Sequence, residues 1–153
     1  RTKLLTETRG TLQMSSIFLE YRPVGIEFTR MRNGALVASE NGKSATEGLD
    51  NAQQRGNLFI GAGEETYMGM IVGINSREQD MEVNVNKIKA STNVRSATKD
   101  MMVKLVPPIR YSLEQSLDFL ADDELLEVVQ STLRLRKKLL SQAERARAGK
   151  KKE

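Results

Sequence analysis

The chain has 153 residues, is 39% hydrophobic, carries a formal net charge of +4, and contains neither Cys nor His. Those absences exclude thiol nucleophiles, imidazole bases, disulfides and ordinary zinc sites, while the length suffices for one domain or two small ones. From Arg134 onward nine Lys/Arg stand against two Glu, a net of +7, which leaves −3 for the remainder. The basicity is therefore local, and local basic patches favour a polyanionic partner. Aromatic residues make up only 5%. That favours contact with a nucleic-acid backbone over stacking of single-stranded bases on a sheet. No apolar run approaches the ~18 residues of a membrane span, and no signal peptide is visible. Lack of Cys is compatible with a reducing compartment. The opening at Arg1, within an apparent helix, predicts a piece of a longer protein.

Residues 1–9 read as a helix end, closed by Gly10. Residues 11–21 read as a strand that Arg22-Pro23 ends. Asn33-Gly34 marks a turn, 35–39 a short strand, and Glu40-Asn41-Gly42 the next turn. Residues 44–55 read as a helix with Ala45, Leu49 and Ala52 on one face and Gly56 after its last turn. Strands are expected at 58–60 and 68–74, around the loop GAGEET. The segments 81–85 and 102–106 are expected to pair with each other. After Pro107-Pro108, Ser112 and Gln115 form a capping box, and Leu113, Leu117 and Leu120 the buried stripe of the helix that follows. Residues 125–129 and 132–136 read as a hairpin across Gln130-Ser131, in which Glu127 faces Arg134. The tail after Ser141 reads as a frayed helix and then disorder.

The most informative stretch is Asn84–Lys99, NVNKIKASTNVRSATK. It carries Lys87, Lys89, Arg95 and Lys99, no carboxylate, and no sustained apolar period, so it reads as a long loop. Loops of this length inside a domain are functional or disordered. Basic residues interspersed with Asn, Ser and Thr suit phosphate and ribose oxygens; a solvated loop fits the same residues. On the strand at 132–136, Arg134 and Arg136 alternate onto one face and Lys137-Lys138 extend the charge. A charged outer strand face is the competing reading.

Other motifs are weaker. Gly42-Lys43-Ser44 imitates the end of a phosphate-binding loop, but Val37 stands where its first Gly belongs. Gly61-Ala62-Gly63 lacks the third Gly of a dinucleotide fingerprint, Thr66 standing in its place. Glu64-Glu65 and Asp122-Asp123-Glu124 lack the spacing of a calcium loop and read as solvated acidic turns.

Several runs, taken together, carry a resemblance: LTETRGT (5–11), RNGALVASENG (32–42), QQRGNLFIGAGEETYMGMIVG (53–73), SREQDMEVN (76–84), TNVR (92–95), DDELLEV (122–128) and LRLRKK (133–138). In this order and at this spacing they resemble the C-terminal part of the BipA/TypA translational GTPases, from about residue 5 to 147. The resemblance implies an α+β fold. Residues 1–24 would be the last helix and strand of a ferredoxin-like module, the fifth domain of elongation factor G. Residues 25–140 would form a family-specific C-terminal domain, with a mostly antiparallel, barrel-like sheet and two or three helices, and 141–153 a basic tail. The GTPase domain, with its GTP and magnesium, would lie upstream, leaving no cofactor or catalytic residue on this chain.

By the same resemblance, the loop at 84–100 reaches into the ribosomal A site toward the acceptor end of transfer RNA. Lys87, Lys89, Thr92, Asn93 and Arg95 carry over as RNA contacts, with Lys99 added by its charge, and Arg134, Arg136 and Lys137 map onto the family's basic strand. The implied partners are the ribosome, ribosomal RNA and A-site transfer RNA, with no membrane. The implied setting is the bacterial cytoplasm, in ribosome assembly and stress response, with the chain as a monomer. The sequence departs from the family at Ile88-Lys89-Ala90, one Lys short, and at Val129-Gln130, where Thr-Pro is usual. A protein-interaction module, docking a ribosomal protein or another domain through an apolar or acidic surface, is the alternative from another class.

Overall fold

The computed structural model describes residues 2–23, 25, 32–88, 104–130 and 132–150. The chain divides into two compact units, 1–30 and 31–153. In the first, helix α1 spans Thr2–Glu7. Gly10, at φ +81°, ends it as expected, its N–H donating back to the Leu5 carbonyl at 2.7 Å. The strand expected at 11–21 does not form, and Ile17, Phe18, Leu19 and Tyr21 are exposed. A strand requires a paired edge to satisfy its backbone, and the described residues of this unit supply none.

The second unit is built on a six-stranded sheet. In chain order its elements are β1 (Ala35–Ala38), β2 (Gly42–Lys43), α2 (Thr46–Gln53), β3 (Gly56–Leu58), β4 (Glu65–Thr66), β5 (Met70–Asn75), β6 (Met81–Val83), α3 (Leu113–Phe119), β7 (Glu124–Val129), β8 (Thr132–Lys137) and α4 (Gln142–Lys150). The main order is β6-β1-β5-β8-β7, with β3 also on β5, while β2 and β4 form a separate ribbon. All pairings are antiparallel except β1 with β6. The architecture is the expected α+β with a mostly antiparallel sheet; the sheet stays open and does not close into a barrel.

Both faces of the central strands are covered, which explains why β1 reads as an unbroken apolar run, Ala-Leu-Val-Ala. Leu36, Ala38, Met70 and Val72 point to one face, where Leu49 and Ala52 of α2 pack. Ala35, Val37, Ile71 and Leu135 point to the other, against Phe59, Phe119 and Leu120.

Three expectations change. Segment 81–83 pairs with β1, not with 102–106, whose described part, residues 104–106, forms no strand. The strand expected at 58–60 starts two residues earlier, because Gly56 begins pairing to Asn75 directly after α2. The α3 stripe is turned: Leu113 and Leu117 are half exposed, while Ser116 is buried and Phe119 packs inward. The capping box at Ser112 and Gln115 forms as read, and Phe119 is held by the rings of Phe59 and Tyr111 and by Arg32 stacked 4.2 Å above it. That aromatic anchor, rather than the leucine spacing, sets the helix phase. Ser116 tolerates burial because its hydroxyl donates to the Ser112 carbonyl at 2.8 Å.

Candidate nucleic-acid interface

The basic loop is mounted on α2 by both of its ends. At the entry, Val85 is buried in the core under α2. The Ala45 N–H donates to the Val85 carbonyl at 2.8 Å and the Gly48 N–H to the Lys87 carbonyl at 3.2 Å. Two donors at the start of the helix thus take main-chain carbonyls of the loop stem. Asn86 locks the same stem. Its amide donates to the Glu40 carbonyl at 3.1 Å and accepts from the Thr66 hydroxyl at 2.8 Å. At the exit, the Gln53 amide at the far end of α2 donates to the Lys104 carbonyl at 3.3 Å and accepts from the Val106 N–H at 3.1 Å. Leu105 packs into the same core. A helix of eight residues therefore fixes where the loop leaves and rejoins the body.

Of the loop residues expected to meet RNA, Lys87 is described and is exposed at the stem. Lys89, Thr92, Asn93, Arg95 and Lys99 lie outside the described residues.

The basic strand divides into three different environments. The hairpin forms in the expected register, Glu127 opposite Arg134, but the ion pair is diagonal: Arg136 Nε lies 2.6 Å from Glu127 Oε1. The other Glu127 oxygen accepts from the Tyr67 hydroxyl at 2.6 Å. Burial and that carboxylate push the Tyr67 phenol well above its ordinary range, so it stays a donor. Arg134 has no hydrogen-bond or ion-pair partner among the described residues. Lys137 departs from the expectation that it faces RNA. Its side chain is 2% exposed, and Nζ lies 2.5 Å from Asp80, 2.8 Å from Glu124 and 2.9 Å from Asp123. The strand alternation that puts both arginines on one face turns Lys137 to the other, beside Leu135.

Glu124, fully buried, also pairs with Arg32 and accepts from the Ala121 N–H at 3.0 Å. This cluster joins β1, the turn at 76–80, and both strands of the hairpin. Burial lowers the Lys137 ammonium and the three carboxylates outweigh it, so its net shift is upward. Asp80 is raised by burial, but the Ala35 N–H, Lys137 and Arg32 outweigh that and hold it below the ordinary carboxylate range. Its contribution to stability is thus present above the unfolded pKa of about 4 and is lost as pH falls through the lower folded value. Thermal unfolding from pH 6 to 2.5 should show this loss for the native chain. Asp80→Asn should be less stable at pH 6 and show a smaller acid loss; an unchanged acid slope would exclude this role.

The remaining motifs have structural roles. Gly42-Lys43 forms β2, and Ser44 is buried with its hydroxyl donating to the Gly61 carbonyl at 2.6 Å. These residues form no phosphate cradle and do not fit GTP. Glu64 accepts from the Gly61 N–H at 2.9 Å and pairs with Arg110 at 2.6 Å. Asp123 and Glu124 are tied to Lys137, while Asp122 and Asp123 stay exposed on the acidic turn. No group of described residues could hold a metal ion, and no described helix is long and apolar enough to cross a membrane. The tail helix α4 is used internally at Arg145. Its guanidinium pairs with Glu82 and donates to the Leu139 and Leu140 carbonyls at 2.7 Å.

Sequence reasoning missed Gln53, Asn86 and the inward role of Lys137. A Gln at a helix end and an Asn in a turn are common surface residues, and their partners lie 20 to 53 residues away in sequence. Alternation from the buried Leu135 was the one available signal for Lys137.

A family model described as the TypA/BipA C-terminal domain matches residues 33–142. The chain is 43% identical over 152 residues to a large ribosomal subunit assembly factor BipA of Bacillus subtilis (strain 168), covering 99% of this chain and 25% of that protein. It is 43% identical over 149 residues to the protein of that name in Escherichia coli (strain K12), covering 97% of this chain and 24% of that protein. The protein of that name in Haemophilus influenzae is 41% identical, with the same two coverages. The chain spans about a quarter of the length of these relatives. With the order of its motifs, its open α+β sheet and a match over most of its length, the chain belongs to the TypA/BipA family and carries that family's C-terminal domain.

Proposed function

We propose that this chain is the ribosome-binding, RNA-contacting module of a large-subunit assembly factor, and that it works through the loop mounted on α2. The observation that carries the reading is the double anchorage of that loop. Val85, Asn86 and the Gly48 N–H fix its entry, and Gln53 fixes its exit. A segment held so firmly at its roots, yet rich in Lys, Arg, Asn and Thr, delivers cations to a defined place. Lys87, Lys89, Arg95 and Lys99 would neutralise phosphates, Thr92 and Asn93 would hydrogen-bond ribose and phosphate oxygens, and Arg134, with Arg136 beside it, would extend the contact. Ribosomal RNA and A-site transfer RNA are the proposed partners, in the cytoplasm. The names of the relatives support ribosome association. GTP hydrolysis, with its magnesium, would belong to a separate domain of the whole protein.

Phosphate contacts release counterions, so their number can be read from salt dependence. Replacing Lys87, Lys89 and Arg95 together by Ala in the whole protein should reduce the slope of log affinity for large subunits against log salt by about 2 to 3. An unchanged slope and affinity would remove the loop from the interface.

A further inference from the structure

Strands β3 and β8 share one edge of β5. β3 pairs with Gly73–Asn75, and β8 with Met70 and Ile71. Between β8 and Phe59-Ile60, which follow β3, lies a cleft of about 460 Å3. Its accessible floor is apolar, with Phe59, Ile109 and Leu133. Its rim carries Tyr111, Gln130, Thr132 and Arg134, and none of these four side chains has a hydrogen-bond or ion-pair partner among the described residues. Their hydrogen-bonding groups are therefore open to a ligand in the cleft. The one carboxylate in the lining, Glu64, is already neutralised by Arg110 and the Gly61 N–H. The cleft therefore has a positive balance through Arg134. Burial raises the Tyr111 phenol above its ordinary range, which keeps it a donor at neutral pH.

We propose that this cleft binds a single unpaired RNA nucleotide, its base over the apolar floor and its phosphate on the Arg134 guanidinium. The proposal rests on the RNA-binding reading above and adds a second, base-accepting site to a loop that contacts backbone. The volume is within the range of small-ligand sites, about 300–1,000 Å3. Unstacked bases are read by apolar or aromatic walls together with hydrogen bonds along their edges. Gln130, Thr132 and Tyr111 supply both donors and acceptors for such edges, and a guanidinium fork matches a phosphate.

The test is an NMR titration of the 153-residue chain with AMP, CMP, GMP and UMP. Ribose 5-phosphate and a short acidic peptide serve as comparisons. The expected result is saturable amide shifts at Phe59, Tyr111 and Thr132 with at least one nucleotide, and clearly weaker binding of ribose 5-phosphate. Arg134→Gln should weaken that nucleotide about tenfold or more while the spectrum stays dispersed, and Arg134→Lys should recover part of the loss. Equal binding of ribose 5-phosphate, preference for the peptide, or no saturable shift in the cleft would each overturn the proposal. If ribosome affinity depends on the loop while the cleft stays silent, the cleft assignment falls and the proposed function stands.

Discussion

Replacing Lys137 by Met should destabilise the chain by about 3–5 kcal/mol, measured by urea unfolding. The side chain is of similar length, so packing volume is nearly kept and the loss reports the charge. Removing the ammonium leaves Glu124, whose carboxylate is fully buried, with Arg32 as its cationic partner. Asp80 and Asp123 are partly exposed and can turn to water, so most of the cost falls on Glu124. Leaving a buried charge short of a partner is far more costly than the net worth of the pair. Lys137→Met/Glu124→Gln should therefore recover a large part of the loss. A loss under about 1 kcal/mol would be that of a surface ion pair and would contradict the burial of this lysine. The site matters for function because it fixes the start of β7 and the end of β8, the hairpin that presents Arg134.

Gly48→Val should cost about 2–4 kcal/mol and loosen the loop stem at the same time. A Cβ at position 48 would lie 2.4 Å from the Val85 carbonyl oxygen and 2.5 Å from its carbon. Both are backbone atoms, so no side-chain rotation relieves the clash. Either α2 or the stem must move, and movement breaks the bonds from Ala45 to Val85 and from Gly48 to Lys87. Hydrogen exchange should report this as faster exchange at the Ala45 and Gly48 amides, while β1 and β5 keep their protection up to the reduced global stability. A stable variant with unchanged exchange at both amides would show that the stem is not held by α2. If the variant also binds ribosomes normally, exact placement of the loop is unimportant.

Much of the fold could be read locally. Ser112-Leu-Glu-Gln signals its own capping box, the apolar run at 35–38 its burial, and the hairpin at 124–137 its register, because each depends on neighbouring residues. What escaped was set by distant partners. The phase of α3 depends on Phe59, Tyr111 and Arg32; the partner of β6 is β1, reached across more than forty residues. The sequence at 11–21 has strand composition but no edge to pair with among the described residues. For the candidate site, the basic loop stood out through its charge and missing periodicity. Its mounting did not, because Gln53, Asn86 and Gly48 act through main-chain carbonyls that no side-chain pattern marks. Lys137 illustrates the same limit: a lysine between Arg136 and Lys138 reads as part of a basic surface until the carboxylates at 80, 123 and 124 are seen around it.

The loop mounted on α2 is proposed to meet RNA on the large ribosomal subunit. Photo-crosslinking from residues 89 and 95 of the whole protein bound to ribosomes, with the crosslinked nucleotides mapped, tests it most directly. Crosslinks to ribosomal RNA and to the acceptor end of A-site transfer RNA are expected from both positions. Crosslinks from both positions exclusively to ribosomal proteins would contradict it.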